Sequence, residues 1–308
     1  MDLISNNEVY RFGLAGVVST LTMEVLCQPI DTMNMKSKVD KHFSIINFVR
    51  NKGVTALMRG IQPVIYGMGV SSFIYFVLYK NFKESVKFHM DRHNIDKTSL
   101  SSVFIMSAGA STLANLMAIG IYYPYDLVKT RMQIVGEYNY KNIADAIHKI
   151  IKEGNGKFIL NNFFRGFTLF ALTFVSFTTL EFSIYETVMM YLAKTHKDNS
   201  VTKNPNHKTH ENQEIDDTHT HEEKNMLHVL LASTIAGGVG GLLTNPLEFL
   251  VVNKQADPKM TVRSAFKNRT IYDIFLKGSF YRTTYYSLQA VLIFFLLEEF
   301  GRYLDCNI

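Results

Sequence analysis

The chain holds little cysteine, and none of it is arranged for chemistry. Cys27 and Cys306 are the two thiols in 308 residues; they sit far apart in sequence and offer neither a disulfide framework nor a metal-ligand spacing. They are read as reduced. A basic stripe interleaved with aromatic residues is also lacking, which argues against a nucleic-acid partner. The net charge of +5, from 32 basic and 27 acidic residues, suits a protein lying among anionic lipid headgroups, cardiolipin among them. No grouping of nucleophile, base and oxyanion donor is visible, and the Gly-rich run 236–241 lacks the Lys-Ser/Thr of a phosphate-binding loop. No enzymatic activity, cofactor or metal centre is therefore expected. Residues 1–8 are acidic and resemble neither a signal peptide nor an Arg-rich transit peptide, so any address is expected to be internal.

Clean apolar runs are missing too, and the mean hydropathy is only +0.03. Even so, windows of about 20 residues or longer, the length that crosses a bilayer core, recur near 10–35, 61–82, 101–128, 167–192, 226–252 and 279–300. Each is interrupted by Gly, Ser, Thr or an acid. That mixture suits helices with one face to lipid and one to a watery cavity.

What is present is a repeat. Pro29-Ile30-Asp31, Pro124-Tyr125-Asp126 and Pro246-Leu247-Glu248 each end a Gly/Ala/Ser-containing apolar helix. Met58-Arg59-Gly60, Phe164-Arg165-Gly166 and Leu276-Lys277-Gly278 each open another. The unit is helix, polar connection, helix, so the chain divides into repeats at 1–95, 96–195 and 225–308. Between the last two lies 196–224, polar and His-rich, expected to be a disordered loop or, alternatively, a weak metal-binding tether. The small residues of the odd helices, such as Gly13, Gly16, Gly237 and Gly241, allow the close backbone approach that packs helices in lipid. Pro29, Pro124 and Pro246 are expected to kink those helices. An acid and a base three residues apart share a helix face, so three kinked helices leaning together would gather these faces into one ring.

The run Pro124-Tyr125-Asp126-Leu127-Val128-Lys129-Thr130-Arg131 resembles the signature of mitochondrial carriers. With its three in-phase copies and the Arg-Gly element after each, the resemblance covers nearly the whole chain. It implies an all-α membrane protein of six transmembrane helices in three pseudo-symmetric two-helix repeats, with short amphipathic helices around 40–55, 140–155 and 260–272. It also implies a solute transporter working by alternating access, a monomer, in the mitochondrial inner membrane or another organelle membrane such as that of the peroxisome or plastid. By the same resemblance the ring is a matrix-side gate in which Asp31 meets Lys129, Asp126 meets Val251 and Glu248 meets Asn34. Only the first is an ion pair, and the third is at best a charge-assisted hydrogen bond. Gln133 and Gln255 fall where the family places bracing glutamines; Lys38 holds that place in repeat one. A second gate on the opposite side would involve Lys83, Glu186 and Glu298, with Lys83 meeting Glu298; ordinary interfacial anchoring is the other reading of these charges.

Family members contact substrate about two turns after the Arg-Gly element, which here selects Gly67, Thr173 and Tyr285, with Met68 and Phe174 adjacent and Arg282 one turn earlier. No base stands at the three points, which counts against a dicarboxylate. The second helix is similar to those of mitoferrins, S-adenosylmethionine carriers and peroxisomal nucleotide carriers, so a nucleotide-like or cofactor-like solute or a metal ion is favoured; the Met and Tyr residues can equally be packing. The helix-one group Met23, Glu24 and Cys27 could favour a soft ion, or simply pack. With both gates depleted, a transport-inactive receptor or scaffold of the same fold is the alternative.

Overall fold

Three copies of one local plan build the molecule, as seen in a computed structural model describing residues 6–92, 100–134, 140–153, 159–203, 214–257 and 259–304. The first repeat runs α1 (Asn6–Val39), α2 (Ile45–Lys52), a 3-10 turn (Val54–Met58) and α3 (Ile61–Arg92). The second runs α4 (Leu100–Gln133), α5 (Ile143–Glu153), α6 (Ile159–Phe163) and α7 (Phe167–Lys203). The third runs α8 (Glu214–Leu243), α9 (Asn245–Ala256), α10 (Val262–Asn268), α11 (Ile271–Phe275) and α12 (Ser279–Tyr303). The short connecting helices are α2, α5 and α10. In α5 the apolar face is regular enough to bury Ala146 and Ile150 against Val128 and Tyr140. The turn into α11 is capped reciprocally by Thr270 and Asp273, and hydrogen bonds from Thr270 hold the Asp273 carboxyl below its usual range.

Among the described residues, four helices are long and apolar enough to cross a membrane: Tyr10–Val39, Val54–Val86, Phe167–Leu192 and Met226–Leu243. The long helices close into a ring. Helix α1 packs on α3 and α12, α3 on α4, α7 on α8, and α8 on α12, while α9 touches both α4 and α7. Leu26, Met117, Leu172, Leu243 and Phe280 point outward, each more than two-fifths exposed, whereas Gln28, Asn34, Lys38, Gln133 and Asn245 are fully buried. Apolar outside and polar within is the reverse of a water-soluble globule, and it fits a bundle solvated by lipid.

Two local expectations meet a different outcome. Pro29 and Pro124 lie inside continuous helices, but the third copy breaks at Thr244, with Pro246 in the first turn of α9. The break is tolerable because a carbonyl it frees finds another donor: Arg282 Nε donates to Gly241 at 2.7 Å, while the Gly240 carbonyl keeps its backbone bond from Thr244. The stretch 196–224 is helical at both ends, since α7 continues to Lys203 and α8 begins at Glu214; extending an existing helix adds one bond per residue fixed, with no new nucleation cost. Residues 204–213 lie outside the described set.

Candidate functional site

The two repeated sequence elements are tied to each other by the residue just before each Pro. Gln28 Nε2 donates to the carbonyl of Arg59 at 2.8 Å, Tyr123 Oη to that of Arg165, and Asn245 Nδ2 to that of Lys277 at 3.2 Å. Each acceptor immediately precedes a glycine in the left-handed region: Gly60 at φ +87°, Gly166 at +86° and Gly278 at +76°. Those glycines bring the repeats together. A Cβ on Gly60 would stand 3.1 Å from the Lys129 carbonyl, one on Gly166 3.2 Å from Lys254, and one on Gly278 only 2.6 Å from Ser37 Oγ. Glycine is thus required both by φ and by space, and each repeat presses on the next in cyclic order.

The carboxylates inside the ring follow the same cycle. Lys129 Nζ lies 2.9 Å from Asp31 Oδ2 and is also bonded to Glu24, which in turn accepts from Tyr285 Oη at 2.6 Å. Gln133 Nε2 donates to Asp31 at 2.7 Å, and Gln255 Nε2 to Asp126 at 2.9 Å. In the matching place of repeat one, Lys38 is salt-bridged to Glu248, and Asn34 Nδ2 donates to the same oxygen at 3.2 Å. Arg282 pairs with the other oxygen of Glu248, and its remaining nitrogens hold the Gly241 carbonyl and Thr244 Oγ1, both at 2.7 Å. Glu248 therefore has two bases, although Asn34 stands where the resemblance sought one. Asp126 has none. Val251 lines the same cavity, and the hydrogen-bond partners of Asp126 are neutral: Gln255 and, at 3.1 Å, Tyr122 Oη.

Above this floor opens a cavity of about 460 Å³ between the long helices. Met68, Thr173, Phe174, Arg282 and Tyr285 line it; Gly67 does not. A Cβ at Gly67 would lie 2.2 Å from Tyr125, so that glycine serves the contact between α3 and α4. The Thr173 hydroxyl is spent on Leu169 O at 2.8 Å. Met23 and Cys27 pack with Tyr285 in an apolar cluster, and no group of three His, Cys, Asp or Glu suited to a metal ion occurs among the described residues. At the far end, Lys83 Nζ lies 5.7 Å above the Tyr79 ring. No ion pair joins Lys83 and Glu186 among the described residues, and the side chain of Glu298 lies outside that set.

Sequence reasoning missed four things here. Glu24 is a second counter-ion for Lys129; an acid in the middle of an apolar helix was the available signal. Lys38, already aligned with Gln133 and Gln255 by the repeat, restores charge to the third pair, a role the alignment alone did not assign. The donors Gln28, Tyr123 and Asn245 share a column but not a side-chain type. Glu181 lines the cavity, and no repeat column announces it.

Residues 5–90 and 101–196 match the family model described as mitochondrial carrier protein. Among curated relatives, an uncharacterized mitochondrial carrier of Schizosaccharomyces pombe is 28% identical over 195 residues, covering 60% of this chain and 59% of its own length. The peroxisomal membrane protein PMP34 of Mus musculus is 24% identical over 206 residues, covering 59% and 60%. The mitoferrin of Dictyostelium discoideum is 21% identical over 278 residues, covering 82% and 78%. For the first two, this chain spans about three-fifths of the relative's length.

Proposed function

Because the chain belongs to the mitochondrial carrier protein family, we propose that it moves one small solute by alternating access, with the carboxylate ring as one gate and the cavity as the solute's site. The observation that carries this reading is a charged floor, closed by contacts among all three repeats, directly beneath a cavity of about 460 Å³. Opening the floor requires separating Asp31 from Lys129 and Glu248 from Lys38, buried pairs whose one-sided loss costs about 3–5 kcal/mol each. A solute seated above offsets part of that cost. The site lies within one chain, so a monomer suffices. The mitochondrial inner membrane is the membrane we assign, with a peroxisomal membrane as the alternative that the mouse relative's name raises.

Lys38 bears on the rival reading of an inactive scaffold, because it supplies to Glu248 the base that Asn34 cannot. Purified chain in proteoliposomes is expected to counter-exchange a solute from a panel of nucleotides, organic cations, phosphate, carboxylates and metal ions. If no member of such a panel is exchanged while the protein remains folded, the transport reading fails.

A further inference from the structure

The cavity and its floor carry more acid than base. Five acids, Glu24, Asp31, Asp126, Glu181 and Glu248, stand against three bases, Lys38, Lys129 and Arg282, so the acids outnumber the bases by two. Every one of those bases is already engaged: Lys129 by two carboxylates, and Lys38 and Arg282 by Glu248. Among the described residues no lysine or histidine lines the cavity, and Arg282 is its one base. Glu181 makes no hydrogen bond or ion pair among them. Gln289 also lines the cavity, and its buried Oε1 has no donor. Aromatic rings contribute to the walls, with Tyr75, Phe174, Phe177 and Tyr286 among them.

We propose that the solute is an organic cation whose positive charge is held by Glu181 and then by Asp126, the gate acid that lacks a base of its own. An anion entering here would meet acids in excess of bases, with the cavity's one base, Arg282, already paired to Glu248. A cation meets carboxylates, an orphaned amide oxygen and ring faces, each of which attracts it. The volume suits a small molecule rather than a bare ion, and no metal-ligand cluster is present among the described residues. The two acids also mark two depths. Phe170, whose ring lies 6.3 Å from that of Tyr122, is at the level of Tyr122, whose hydroxyl reaches Asp126 one turn away. Glu181 is about 16 Å further along α7 at the helical rise per residue. The charge would pass from the upper acid to the lower, and there take the place of the base that Val251 does not supply. This assignment rests on the carrier reading of the same cavity.

The test separates the two. Intact purified chain is warmed in detergent with tetraethylammonium, choline, thiamine or agmatine, and with ADP, phosphate or malate; the same solutes are then tried for counter-exchange in proteoliposomes. At least one cation is expected to raise the melting temperature and to exchange, with no response to the anions. Glu181→Gln should weaken its half-saturation about ten-fold or more, and Gln289→Glu, which adds a carboxylate at the orphaned oxygen, should tighten it. The second variant keeps the question answerable if the first fails to fold. Exchange of an anion with the cations inert overturns the charge assignment and leaves the carrier standing. Binding of a cation without exchange supports the assignment and overturns the carrier. If neither class binds or exchanges, both fall.

Discussion

The Glu24–Lys129–Asp31 cluster makes a graded prediction. In the intact protein two carboxylates share one ammonium, and all three side chains are at most 6% exposed. Lys129→Met leaves two buried like charges with no counter-ion, a loss of about 3–5 kcal/mol. At about 2 °C per kcal/mol, the lower end for larger domains, that is a fall in melting temperature of about 6–10 °C. Adding Asp31→Asn restores the net charge of the native cluster but leaves Glu24 unpaired, so recovery should be partial. Adding Glu24→Gln as well removes every charge, and replacing a whole buried ionic group is often neutral for stability. The triple variant should therefore unfold within a few degrees of the intact chain. Unfolding can be followed in a Cys306→Ser background by a thiol-reactive fluorophore, because Cys27 is fully buried. If the triple variant melts as early as Lys129→Met alone, the three residues do not act as one ionic unit and the gate geometry is wrong. Exchanging the charges of residues 31 and 129 should recover little, because a carboxylate placed at 129 would then stand against Glu24.

Further outcomes follow from other parts of the ring and its connections. Gly278→Ala, with φ at +76° and Ser37 Oγ 2.6 Å from the new Cβ, should destabilise by about 2 kcal/mol or more, while Gly120→Ala, with nothing within 4 Å, should be neutral or slightly stabilising in a thermal melt. Thr270→Ala removes the cap of α11 and should cost about 1 kcal/mol; the depressed Asp273 carboxyl makes that contribution present above an unfolded pKa of about 3.9 and lost as pH falls below it, so the variant and the intact chain should converge in melts taken at acid pH. Deleting 200–220 should leave the uptake rate near that of the intact chain; a ten-fold loss, about 1.4 kcal/mol in the barrier, would assign the segment a part in gating. Cysteines placed at positions 150 and 210 should label from opposite faces of the membrane, and labelling from one face would defeat the three-hairpin topology.

The sequence by itself determined the architecture, because repetition is a statement about the chain that needs no coordinates. Three Pro-acid elements and three glycines in phase require three equivalent hairpins, and apolar windows of membrane length say what surrounds them. Asp31, Asp126 and Glu248 were recognisable for the same reason: each occupies the same column. The resemblance paired Asp31 with Lys129, but the sequence could not decide the full set of charges that meet, since pairing across the ring also joins residues as far apart as Lys38 and Glu248 and depends on side-chain reach. A lysine one turn beyond Asn34 does the work of a missing base only because α1 passes close to α9. Glu24 became part of the buried ionic cluster only because α1 turns it toward Lys129 and Tyr285 rather than toward lipid. Pro246 marks a break rather than a kink because Arg282, from a different helix, takes up the freed carbonyl of Gly241. Local chemistry fixes which helices form and where they bend. The balance of charge inside the cavity belongs to the assembled bundle, because it is a sum over side chains that only the packing brings to one place.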